Sequence, residues 1–153
     1  MAIEEIDIKI ITETLTLTKG NMITGEIYFS TQNDVFPEKE WRDFVVVIMT
    51  WWYDALIRLI ESKQNGIEEE FEFMDGPLLI KAVKVSEELL ELNFIKEMRS
   101  AEQIFFTINI SMTNFKCALL KSGKELLIDL NQRNWHSDDI DELTKRHHYL
   151  SNK

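Results

Sequence analysis

Hydrophobic and charged residues alternate at the start of the chain, where Ile6, Ile8 and Ile10 are separated by charged residues. A period of two is typical of a β-strand with one buried face. Threonine at every second position from 12 to 18 continues the preference for strand. Residues 19–21 form the expected turn, and a second strand is marked by Ile23, Ile27 and Phe29. We therefore expect an N-terminal β-hairpin.

A long apolar helix is predicted after the polar segment 30–34. Pro37 suits a first helical turn, and the apolar positions 41, 44, 45, 48, 52, 55, 56 and 59 follow helical spacing. Because apolar residues cover most of its circumference, we expect this helix to be central in the fold. Asp54 and Arg58 lie four residues apart and are expected to pair. The β-branched segment 45–48 also fits a strand, but the spacing favours the helix, which Asn65-Gly66 is expected to end.

Three strands are predicted next, as an antiparallel meander. Phe71 and Phe73 alternate with glutamates, which indicates a strand with one solvent-exposed face. Asp75-Gly76-Pro77 is a turn sequence, and residues 78–85 form the return strand. After a turn at 86–88, the third strand is marked by Leu90, Leu92 and Phe94.

The last third of the chain is predicted to be helical. Apolar residues at 104, 108, 112, 115 and 119 recur at helical spacing, although residues 104–108 are rich in strand formers. Ser122-Gly123 is expected to close this helix, and residues 124–133 to form a short one. Ser137 is the predicted N-cap of a terminal helix with acidic residues in its first turn and basic residues in its last.

The predicted order of elements is therefore ββ-α-βββ-α-α. The 153 residues match the usual size of one domain, and no repeat or linker interrupts them. We predict a single α+β domain over residues 1–153, with an antiparallel sheet of about five strands and helices packed on one face.

Charge is distributed unevenly along the chain. Residues 1–76 contain 16 acidic and 6 basic residues, whereas residues 77–153 contain 11 of each, so the first half carries the whole net charge of −10. Nucleic acids and anionic membranes are recognised by Lys and Arg and are therefore excluded as partners. A basic protein is the partner that this charge attracts.

The sequence also indicates the cellular compartment of the protein. The most apolar stretch, residues 44–60, contains Asp54 and Arg58, so no transmembrane helix is expected. The N-terminal residues lack the basic start and apolar run of a signal peptide. With one cysteine in the chain, a reducing compartment is favoured, and a cytoplasmic protein is predicted.

Motifs for catalysis or cofactor binding are missing from the sequence. The five glycines are too scattered for a phosphate loop, and one cysteine cannot build a zinc finger. His147 and His148 are adjacent in a predicted helix and point about 100° apart, so they are unsuited to share a metal ion. Cys117 lies among apolar residues and is expected to pack. We predict a protein that is not an enzyme, with no catalytic residues, no metal site and no cofactor.

The acidic strand is the first candidate for a binding surface. Glu68, Glu70 and Glu72 share one face of the predicted strand and repel one another. A divalent ion or a basic partner would relieve that repulsion, and we predict binding to a basic partner. Charged residues that keep a sheet edge from aggregating explain the same pattern.

Two other hypotheses arise from the apolar helix. A pocket for a small molecule or a substrate would lie near Trp51, Trp52 and Tyr53, with Asp54 and Arg58 as its polar groups. Simple packing of a nearly all-buried helix also explains the aromatic run. Alternatively, the second apolar side of the helix packs against another copy, which would make the protein a structural homo-oligomer.

Two stretches suggest a family. Residues 36–44, Phe-Pro-Glu-Lys-Glu-Trp-Arg-Asp-Phe, lead into the apolar helix with Trp51-Trp52, and residues 71–77 read Phe-Glu-Phe-Met-Asp-Gly-Pro. Over residues 20–120 the chain resembles small, mostly uncharacterised bacterial α+β proteins, some of which are similar to immunity proteins that neutralise toxins. The resemblance implies an immunity-type inhibitor that masks a basic partner without catalysis. Its motifs are turn and core motifs, so no functional residue is carried over.

Overall fold

The first sheet is built on the N-terminal hairpin. The computed structural model describes residues 2–74 and 76–153. The strands β1 (Asp7–Leu17) and β2 (Ile23–Ser30) pair antiparallel, with Ile8 opposite Phe29 and Ile10 opposite Ile27. Two short strands, β3 (Val35–Phe36) and β4 (Arg42–Asp43), pair with the other edge of β2. The predicted hairpin is confirmed.

The second sheet is an antiparallel meander in chain order. It contains β5 (Glu68–Glu72), β6 (Leu78–Ser86), β7 (Leu89–Glu97) and β8 (Glu102–Ser111), so β5 and β8 are its two edges. The three-strand meander is confirmed, and β8 extends it. The predicted turn at Asp75-Gly76-Pro77 includes Asp75, which lies outside the described residues.

Three helices complete the described elements: α1 (Val45–Glu61), α2 (Met112–Gln132) and α3 (Asp138–Ser151). Side-chain caps begin the last two. The Ser111 hydroxyl accepts the Asn114 N–H at 2.9 Å, and the Ser137 hydroxyl accepts the Ile140 N–H at 3.2 Å, which confirms the predicted cap. Residues 45–48 are helical, so the helix predicted from the apolar spacing is confirmed over the alternative strand.

Buried charges hold both ends of α1. The buried Asp43 carboxylate accepts the Phe44 N–H at 2.7 Å, where a negative charge suits the helix dipole. The buried Lys84 amine of β6 donates to the carbonyls of Leu59 at 2.9 Å and Ser62 at 2.6 Å. Each sheet therefore satisfies part of the backbone polar groups left free at one end of this central helix.

The core surrounds α1. The helix contacts β2, β5, α2 and α3, and it buries Trp52, Tyr53, Leu56 and Leu59 completely. The buried cluster draws residues from both sheets and all three helices. The predicted α+β class with antiparallel strands is confirmed, the described strands being divided over two sheets. Among residues 2–74 and 76–153, no helix has both the length and the apolar character needed to cross a bilayer.

Several predicted boundaries were wrong. Helix α1 begins at Val45 and not near Pro37, because β4 and the Asp43 carboxylate precede it. Residues 104–108 belong to strand β8 and not to a helix. Ser122-Gly123 does not end α2, which continues through residues 124–132 to Gln132.

Candidate functional site

Strand β5 displays the predicted acidic face at an open sheet edge. Its neighbour on one side is β6, and no strand of the described residues pairs with its other side. Phe71 is fully buried opposite Ile80, which fixes the register. Because side chains alternate along a strand, Glu68, Glu70 and Glu72 point to solvent together.

These three glutamates have no salt bridge to any residue in the described part of the chain. Lys81 lies directly across from Glu70 in the ladder, but its amine binds Glu102 at 2.5 Å. Burial raises the pKa of Glu70, and the charges of Glu72 and Glu97 raise it further. The face therefore holds like charges that an added cation would stabilise.

The solvent-facing side of α1 lies beside two of these glutamates, Glu70 and Glu72. Trp51 is 39% exposed, although it stands in a helix whose other large side chains are mostly buried. A depression of about 270 Å³ lies between the helix and the strand. Its walls are Trp51, Asp54, Arg58, Glu70 and Glu72. The structure thus unites residues that the sequence assigned to two separate candidate sites.

Trp52 and Tyr53 do not line this depression, because both are fully buried in the core. The indole Nε1 of Trp52 donates to the Glu72 carbonyl at 2.8 Å, which ties α1 to β5. The Tyr53 hydroxyl lies 2.7 Å from Nδ1 of His147 and donates to the Leu119 carbonyl at 3.2 Å. These two side chains position α1, and Trp51 alone of the three aromatic residues faces the depression.

The predicted pair of Asp54 with Arg58 is not formed, because each residue has a partner on another element. Arg146 of α3 donates to Asp54 at 3.0 Å, and Arg58 donates to Glu69 at 2.8 Å. The cations nearest the depression are therefore already paired. Their partners, Arg146 and Glu69, were missed because nothing in the sequence shows which elements meet α1.

The backbone of β5 also presents unpaired groups at this edge. The Lys84 N–H donates to the Ile67 carbonyl at 2.9 Å. Since hydrogen-bonded pairs alternate along an antiparallel ladder, the backbone groups of Glu68, Glu70 and Glu72 point away from β6. The Trp52 bond to the Glu72 carbonyl agrees with this orientation. No hydrogen bond from the described residues outside the sheet reaches the Glu70 carbonyl.

Other side chains with reactive or ligating groups lie apart from this site. Cys117, expected to pack, is exposed at a groove of about 740 Å³ between the N-terminal segment and α2. His147, expected on the surface, is half-buried against Tyr53, and burial lowers its pKa. Across residues 2–74 and 76–153, no group of three or more His, Cys, Asp or Glu side chains is arranged to hold a metal ion.

No family model, curated protein sequence or solved structure matches this chain. The resemblance to toxin-immunity proteins therefore stays a prediction.

Proposed function

We propose that this protein is a non-catalytic binding module, an immunity-type inhibitor that uses an acidic face to mask a basic partner. We define the acidic face as Glu68, Glu70 and Glu72. The observation that carries the proposal is that these carboxylates share one exposed side of an edge strand with no salt bridge from the described residues. Burying them against a basic surface would replace repulsion by attraction.

Trp51 supports this proposal as an anchor at the border of the acidic face. Protein interfaces owe most of their affinity to a few residues, and Trp is enriched among them. Such anchors are surrounded by polar contacts that exclude water. Here the exposed Trp51 lines one depression together with Glu70 and Glu72, so a partner side chain that fills the depression would contact all three residues.

A small-molecule site is less well supported by the geometry. Ligand pockets usually measure roughly 300–1,000 Å³ and enclose most of the ligand. The depression measures about 270 Å³, and its polar groups Asp54 and Arg58 already bind Arg146 and Glu69. These features suit a single side chain from a protein better than a free metabolite or a cofactor.

Self-association has a weaker basis in the structure than in the sequence. The hypothesis needed a second apolar side on the long helix. That side is covered within the chain, because α1 contacts α2 and α3 as well as β2 and β5. Its exposed residues are Trp51, Arg58 and Glu61, of which only Trp51 is apolar.

The test is capture of a partner by the tagged protein from bacterial lysate at low and high salt, followed by affinity measurement. A basic protein that is captured at low salt and lost at high salt is the expected result. Charge reversal of the acidic face, Glu68, Glu70 and Glu72 to Lys, is expected to weaken affinity at least about tenfold, or ~1.4 kcal/mol.

A matched variant separates the local effect from net charge. Glu13, Glu87 and Glu125 are exposed and form no salt bridge in the described part of the chain. Changing these three to Lys alters the net charge equally and should leave affinity within about tenfold. If both triple variants weaken binding equally, or if neither does, the acidic face is not the binding site.

A further inference from the structure

We propose that the depression between α1 and β5 receives an arginine side chain of the partner, which stacks on Trp51 and binds Glu70 and Glu72. This inference rests on the proposed function and specifies the chemistry of its contact. It concerns the five residues that line the depression and the backbone carbonyl of Glu70, which points away from β6.

The first argument is charge complementarity. Glu70 and Glu72 line the depression without a salt bridge from the described residues, and the charge of Glu72 raises the pKa of Glu70, which the nearby charge of Lys81 offsets in part. The nearby cations are held elsewhere, since Arg58 binds Glu69 at 2.8 Å and Lys81 binds Glu102 at 2.5 Å. Arg58 lines the depression but forms no salt bridge with Glu70 or Glu72, so it does not act as an internal occupant.

The second argument is the shape of the available contacts. A guanidinium group is planar, carries five N–H donors and stacks on aromatic rings, whereas an ammonium group is compact and strongly hydrated. Trp is the best aromatic partner for a stacked cation. Two glutamates line the depression, and their carboxylates can accept charge-assisted hydrogen bonds. The Glu70 carbonyl, which points away from β6, is a further acceptor. This set of acceptors around an indole favours arginine over lysine.

The experiment uses the intact protein and N-acetyl-L-arginine amide as the probe. Two-dimensional ¹H–¹⁵N spectra follow the Trp51 indole N–H, assigned with Trp51→Phe. We expect a saturable shift with a Kd on the order of 1–10 mM, since one side chain supplies only a few contacts. N-acetyl-L-lysine amide should bind at least about threefold more weakly, and N-acetyl-L-norleucine amide should cause no saturable shift.

Matched variants test whether the probe binds in the depression. The double variant Glu70→Gln, Glu72→Gln should raise the Kd at least about tenfold. Glu68→Gln removes a charge from the same strand face outside the depression, and it should change the Kd by less than about twofold.

Three results would overturn the inference: no saturable shift of Trp51, equal binding of the lysine and arginine probes, or an equal effect of Glu68→Gln and the double variant. None of these affects capture of a basic partner, which tests the proposed function separately. Conversely, arginine binding at Trp51 with no partner sensitive to the acidic face would contradict the proposed function.

Discussion

Replacing Gly123 by Ala should destabilise the protein, although the same change usually stabilises a helix. Gly123 lies inside α2, where Ala is favoured by about 1 kcal/mol. A Cβ atom at this position would lie 1.9 Å from the Tyr53 hydroxyl oxygen and 2.9 Å from its ring carbon Cζ. It would also lie 3.2 Å from Nδ1 of His147. Tyr53 is fully buried, so its hydroxyl cannot move aside into solvent.

The magnitude follows from these opposing effects. Overpacking costs about 1–3 kcal/mol. Displacing the Tyr53 hydroxyl from His147 and Leu119 leaves buried polar groups unpaired, at about 1–3 kcal/mol. After the gain in helix propensity, a net loss of about 1–5 kcal/mol of unfolding free energy is expected.

Urea unfolding at neutral pH measures this loss. With an m-value near 2 kcal/mol/M, a loss of about 2 kcal/mol lowers the midpoint by about 1 M. Gly20→Ala is the control, because no atom lies within 4 Å of a Cβ at that position, and a change within about 0.5 kcal/mol is expected.

A second substitution tests the cause. Tyr53→Phe removes the oxygen that the new Cβ would strike, so Gly123→Ala should cost less in that background than in the wild type. The rescue should be partial, because the 2.9 Å approach to Cζ is still present. A wild-type-like or more stable Gly123→Ala variant, or equal costs in both backgrounds, would refute the reasoning.

Three further substitutions probe buried or charged groups. Lys84→Met leaves two carbonyls at the end of α1 without their donor and should cost about 1–3 kcal/mol in urea unfolding, whereas exposed Lys96→Met should cost little. Burial lowers the pKa of His147, so the stabilisation from its neutral form is complete above pH 6.5 and is lost as the pH falls below that value. The difference in unfolding free energy between the wild type and His147→Asn should therefore shrink between about pH 7.5 and about pH 5.5. A constant difference over this range would contradict the reasoning. Burial raises the pKa of Glu70, so its negative charge destabilises the folded protein above the folded-state pKa. Glu70→Gln should therefore raise the unfolding free energy at neutral pH, and by more than Glu68→Gln does. This gain should vanish as acid protonates Glu70.

The helix predicted from residue 104 shows why a correct pattern can indicate the wrong element. Ile104, Ile108 and Met112 are separated by four residues, which suits one face of a helix. Four is also a multiple of two, so the same spacing suits one face of a strand. In the structure the β-rich segment is strand β8, and the helix begins at Met112. Local propensity was the better guide here. An irregularity in the pairing of β7 with β8 also leaves Ile104 exposed while Ile108 is buried, so the spacing of four did not mark one face of the strand.

Gly123 was misread for a different reason. Ser-Gly after an apolar run is a common end to a helix. Here the glycine continues the helix, because the hydroxyl of Tyr53 occupies the space where a side chain would stand. That contact joins residues 70 positions apart in the chain, and no local pattern contains it.

The sequence by itself determined the α+β class, the N-terminal hairpin, the long apolar helix and the shared face of Glu68, Glu70 and Glu72. These features depend on spacing between neighbours in the chain, which period and propensity express directly. Only the tertiary structure decided that Trp51 lines one depression with Glu70 and Glu72 while Trp52 and Tyr53 enter the core. The rotation of α1 against β5 is set by packing from both sheets and from α3, and contacts between distant segments leave no periodic signal in the chain.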